Sequence, residues 1–180
     1  MKIMCILTSI LLICLPLHGE PLTETDQKHV QKRRNIQHVL YETYVNSDRG
    51  LASVIGFHYD SFWSEHSYFA LAIFGAVGGK RGGYGIASVG SGYRIPLTDK
   101  LSFDSKILVG SGGGGGLQAG GGFAVEAQAG ISYEFLKNIC IDFKYGHLWF
   151  PSGTYDTPVV NVGISYEFQK LYLPFTSPSE

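Results

Sequence analysis

The sequence predicts an all-β protein: an eight-stranded antiparallel up-and-down transmembrane β-barrel. Three observations carry that prediction. Apolar and polar residues alternate with a period of two through most of the chain after residue 35. The polar parity holds small residues and charges of both signs, whereas the apolar parity collects aromatic residues toward the strand ends. The chain also opens with a leader for export. Soluble sandwiches alternate too, with the apolar side inward. The aromatic ends and the paired charges favour the inverted arrangement, in which apolar side chains face lipid and polar ones fill the lumen.

Residues 1–19 read as a signal peptide. Lys2 is followed by the apolar run Ile3–Leu17 and by Gly19 at a cleavage point. The run is short for a spanning helix and Pro16 breaks it. Residues 20–35 read as a polar N-terminal arm that ends in the basic run Gln31–Arg34. Two of the three cysteines, Cys5 and Cys14, lie in the leader, so Cys140 alone remains and stability without disulfides is expected from a closed sheet. With 14 Lys+Arg against 15 Asp+Glu, the charge balance gives no argument for a nucleic-acid partner.

Residues 36–168 are expected to form the barrel. The clearest strand is Phe123–Phe135, which sets Phe123, Val125, Ala127, Ala129, Ile131, Tyr133 and Phe135 against Ala124, Glu126, Gln128, Gly130, Ser132 and Glu134. Pro158–Phe168 repeats the pattern, and the hexapeptide GISYEF closes both stretches. Ile139–Gly146, Leu101–Gly110 and Gly85–Ile95 alternate in the same way. Ile36–Val45, Leu51–Tyr59 and Tyr68–Val77 complete eight, the first having two almost equally apolar parities. Residues 169–180 read as a C-terminal tail. Short turns are expected after strands two, four and six.

The run Gly110–Gly122 contains a formal GxGxxG match. No helix is expected after it, and no Lys-Ser/Thr pair follows, so a phosphate cradle is disfavoured. A hairpin tip with thinned strand ends at the outer rim is the expectation.

On this reading the inner face carries a charge network of Arg94, Asp104, Lys106, Glu126, Asp142 and Lys144, whose opposite charges pair and offset their desolvation. Eight strands leave room for such side chains and no open pore. Tyr93, Tyr133, Phe135, Tyr145, Trp149, Tyr166 and Phe168 are the expected interface aromatics. His58, His66 and His147 lack metal-ligand spacing, so no metal or cofactor is expected.

The signal, the dyad strands and aromatic strand ends such as GISYEF resemble the small eight-stranded outer-membrane barrels of Gram-negative-type bacteria. That resemblance implies outer-membrane lipid and lipopolysaccharide as surroundings, the barrel assembly machinery as a partner, and a structural or surface-interaction role. The usual terminal aromatic is displaced, since QKLYLPFTSPSE follows Phe168. Within this class, lipid A 3-O-deacylases place a His-x-Ser motif near the end of strand seven and an acidic residue near the start of strand eight. Tyr145–Phe168 is similar in position. His147 matches the histidine and is the one catalytic candidate, Trp149 stands where the serine is expected, and Asn161 lies near the acidic position. A soluble barrel binding a small apolar ligand is the further alternative.

Overall fold

The computed structural model describes residues 31–45, 52–79 and 83–172. The signal peptide, most of the arm and the tail beyond 172 lie outside the described residues. Eight strands close into one antiparallel barrel in sequence order. They are β1 (Gln31–Tyr44), β2 (Ala52–Phe62), β3 (Ser67–Gly79), β4 (Gly85–Pro96), β5 (Leu101–Gly113), β6 (Phe123–Leu136), β7 (Ile139–Trp149) and β8 (Asp156–Tyr172). Each pairs with its sequence neighbour, and the β4–β5 register runs unbroken from Gly85↔Gly113 to Pro96↔Ser102.

The strands are longer than the alternation alone suggests. Residues 31–35 belong to β1 instead of the arm, and 169–172 belong to β8 instead of the tail. An ion pair explains the first extension, because Arg34 grips Glu167 across the closing seam with two hydrogen bonds of 2.7 and 2.6 Å. The guanidinium also lies 4.6 Å over the Phe62 ring. Charged residues that read as a solvated arm are thus held by a partner more than 130 positions away. A membrane strand needs about 9–11 residues, so strands of 11 to 17 residues project beyond a bilayer core.

Which face meets lipid follows from the side chains. Phe69, Ile73, Ile107, Ile131, Phe143 and Ile164 point outward, with Ile73 64% exposed. Their neighbours at one-residue offsets are buried, apart from Gly130 and Gly163, which are half-buried. The apolar parity is therefore the outer wall. The short turns fall after β2, β4 and β6, at residues 63–66, 97–100 and 137–138. In the second, Thr98 Oγ1 accepts from the Leu101 amide at 3.0 Å. In the third, Asn138 takes φ 64°, a conformation that asparagine tolerates better than most residues. The opposite rim holds the longer connections.

The glycine run continues β5 to Gly113 and then forms the loop 114–122. That loop is not a free tip. It packs on the β7–β8 turn, where the Thr154 amide donates to Gln118 O at 3.0 Å and the Gly121 amide donates to Ser152 Oγ at 3.1 Å. A Cβ on Gly120 would stand 2.0 Å from Ser152 O, and one on Gly153 would stand 2.1 Å from Gln118 O. Glycine is needed because two backbones touch. Beneath this contact Tyr44, Phe74, Tyr84, Phe150 and Tyr155 are buried together and stopper the long-loop mouth, the outer one in the expected orientation.

Candidate functional site

Two places gather chemistry-bearing side chains: the lumen and one spot on the outer wall. In the lumen, all six charges expected from the polar parity are buried, from 0% exposure at Asp104 to 3% at Arg94 and Lys106. Strand alternation puts them there, and cross-strand register brings them together. Lys144 donates to Asp104 at 2.8 Å, and the Tyr68 hydroxyl donates to the same carboxylate at 2.9 Å. Gly130 faces Lys144 across the β6–β7 pair and makes room for its stem, since a Cβ there would lie 2.9 Å from Lys144 Cγ.

The network is wider than the polar parity of the clear strands shows. His38, Glu42, His58 and Asp60 on β1 and β2 are fully buried within it. Lys106 donates to Asp60 at 3.2 Å and to His58 Nδ1 at 3.3 Å. His38 bridges two carboxylates: Nε2 meets Asp60 at 2.9 Å and Nδ1 meets Asp142 at 3.0 Å. Both ring nitrogens thus face carboxylate oxygens. Ser132 also hydrogen-bonds Asp142. Asp60, Asp104, Lys106, Asp142 and Lys144 thus each have a direct partner, which is what a low-dielectric interior requires.

Arg94 and Glu126 do not join this pairing as expected. Arg94 lies toward the short-turn end, where its Nη2 reaches Cys140 Sγ at 3.8 Å and its Nε and Nη1 have no hydrogen-bond partner. Glu126 sits toward the outer mouth with Glu42. There Gln128 Nε2 donates to Glu126 and, at 3.3 Å, to Glu42, while Asn161 Nδ2 donates to Glu42 at 2.9 Å. Asn161, compared above with a catalytic acid, points into the lumen.

On the outer wall, His147 Nε2 meets the Asp156 carboxylate, with side chains 31% and 62% exposed. The β7–β8 register explains the contact: Trp149 pairs with Asp156, so His147 lies diagonally below it. The His147 ring packs on Trp149 at 4.6 Å between centroids. Below them runs a groove of about 670 Å³ lined by Ser91, Ser105, Ala127, Ala129, Tyr145 and His147. Trp149 stands at the position where the deacylase resemblance places a serine, and His147 Nε2 is hydrogen-bonded to Asp156. Among the described residues, no group of three or more His, Cys, Asp or Glu side chains forms a metal centre.

The interface aromatics divide. Tyr93, Tyr133 and Phe135 stand by the short turns, and Trp149 ends β7 at the outer rim. Tyr145 lies inside β7, opposite Ala129 and Val160. It falls mid-wall because β7 runs on past Gly146. Tyr166 and Phe168 stack at 6.0 Å within β8, which continues to Tyr172.

No protein-family model matches the chain, and no curated protein is detectably similar to it. Solved structures are similar in fold. A de novo designed transmembrane β-barrel aligns with TM-score 0.58 and 14% identity, over 75% of this chain and 95% of the design. The Yersinia pestis outer membrane protein Ail aligns with TM-score 0.53 and 14% identity, over 77% and 100%. The fold is that of the small outer-membrane barrels. The outer membrane enzyme PagL aligns with TM-score 0.50 and 15% identity, over 73% and 98%. A designed barrel and an enzyme share this architecture, so the fold by itself assigns no activity.

Proposed function

We propose that this protein is an outer-membrane barrel with a structural or surface-interaction role, closed to solutes and presenting its stoppered mouth outward. The observation that carries this reading is the lumen. It is crossed by hydrogen-bonded charges, and its outer mouth is plugged by aromatic side chains under two interlocked loops. Outer-membrane lipid and lipopolysaccharide would cover the apolar wall, after export and insertion by the barrel assembly machinery. A barrel that binds an apolar ligand internally would need an empty apolar chamber, and the packed polar interior speaks against one. Purified protein added to a planar bilayer is expected to insert without stepwise conductance. Discrete conductance steps would mean that the network is wet and the reading wrong.

The His147–Asp156 pair favours a second reading, a lipid-modifying enzyme. A carboxylate that orients an imidazole is half of an acyl-transfer machine. Its position on the wall that faces lipid suits an amphipathic substrate. Trp149 removes the other half. Lipid A and phospholipid from cells carrying the wild type and His147→Ala are therefore expected to give identical mass spectra. Acyl loss that depends on His147 would replace the structural reading with the enzymatic one.

A further inference from the structure

The charges of the lumen do not cancel locally. Lys144 with Asp104 and Lys106 with Asp60 are direct ion pairs, and His38 hydrogen-bonds Asp142. Toward the outer mouth, Glu42 and Glu126 have no such partner. Both are buried, at 0% and 2% exposure, and one amide nitrogen of Gln128 serves them both. The nearest ammonium, on Lys106, stands opposite Gln128 in the β5–β6 register, but it is directed at Asp60 and His58. Two carboxyl groups held in a low-dielectric space without a cationic side chain directed at either carry a strong local excess of negative charge when both are ionised.

The second observation is a set of unused oxygens. Glu42 Oε1, Gln128 Oε1 and Asn161 Oδ1 are all buried without a hydrogen-bond partner. They belong to the same side chains that ring the carboxylate pair. Rotating either amide about its last bond exchanges its nitrogen for its oxygen without moving the backbone. Such a rotation would surround the two carboxylates with oxygen donors only. Carboxylate and amide oxygens at flexible side-chain ends are the donors that calcium-like cations take.

We propose that Glu42, Glu126, Gln128 and Asn161 form a binding site for one oxygen-seeking divalent cation in the outer half of the lumen. The cation neutralises the pair and gives the orphaned oxygens a partner. It ties β1, β6 and β8 together beneath the aromatic stopper. Tyr44 lies on β1 two positions beyond Glu42, with its ring edge-to-face on Tyr84 at 5.7 Å. These two rings are natural sensitisers for terbium, a calcium probe.

The test uses full-length protein folded into detergent micelles from a chelated solution, with folding checked by the gel shift between boiled and unboiled samples. Terbium is expected to give saturable tyrosine-sensitised emission that calcium displaces. Glu42→Gln/Glu126→Gln is expected to lower that emission about tenfold, since affinity at such sites follows ligand charge. Asn161→Asp serves as an independent variant. A third carboxylate tightens a real cation site about tenfold, whereas without a cation it only adds like charge and lowers the unfolding temperature whether or not calcium is present. Wild-type emission that does not saturate, emission unchanged in the double glutamine variant, or Asn161→Asp destabilised equally with and without calcium would each overturn the proposal. A proton shared between the two acids would then account for the pair.

Discussion

Asp104→Ala will destabilise the folded barrel by about 3–5 kcal/mol, the cost of leaving a buried charge without its partner. Asp104 is fully buried and accepts from Lys144 and Tyr68. Removing its carboxylate strands the Lys144 ammonium, which is likewise fully buried. Urea unfolding in micelles, followed by the fluorescence of Trp63 and Trp149, measures the loss. The double variant Asp104→Ala/Lys144→Met should recover much of it, because it removes both charges and leaves an apolar contact. A single-variant loss below about 1 kcal/mol, the range of exposed salt bridges, would show that water fills the lumen.

Gly120→Val is expected to cost about 3 kcal/mol, from backbone strain and overpacking acting together. Gly120 has φ 58°, and its added Cβ would meet Ser152 O at 2.0 Å. A β-branched residue tolerates that φ poorly. The effect should concentrate at the outer mouth, with protease cutting within residues 114–122 before the barrel unfolds. Gly116→Ala isolates the strain. Gly116 has φ 68°, yet nothing lies within 4 Å of an added Cβ, so about 1 kcal/mol is expected. Equal losses in the two variants would mean that the glycine loop does not rest on the β7–β8 turn.

These two variants also mark what the sequence makes legible. Asp104 and Lys144 could be read because β5 and β7 alternate cleanly, so parity alone assigns a face. The same holds for Arg94, Lys106, Glu126 and Asp142. His38 and Glu42 were hidden, since both parities of β1 are almost equally apolar and neither declares the lumen. Asp60 fell one residue past the expected end of its strand at Tyr59. The packing of Gly120 on Ser152 could not be read either. Glycines report that a side chain is unwelcome, and they do not say what stands in its place.

The pairing of His147 with Asp156 was hidden for a related reason. His147–Pro158 reads as loop from its proline and glycine, whereas β7 runs to Trp149 and β8 starts at Asp156. Once the turn tightens to residues 150–155, register sets the two side chains diagonally across adjacent strands. Tyr145 moved from a strand end to mid-wall by the same extension. Conversely, Asn161 resembles a catalytic acid only by its position along the chain. Its parity places it in the lumen, beside Glu42.

The central claim is that the apolar parity faces lipid around a packed polar lumen. Nitroxide labels placed singly at Ile107, Ile131, Ile141 and Ile164, in a Cys140→Ser background and in lipid vesicles, test it most directly. The account predicts that all four labels are reached by oxygen dissolved in the bilayer and shielded from a water-soluble nickel complex. Labels reached by the nickel complex and shielded from oxygen would contradict it, because the apolar parity would then not line the membrane.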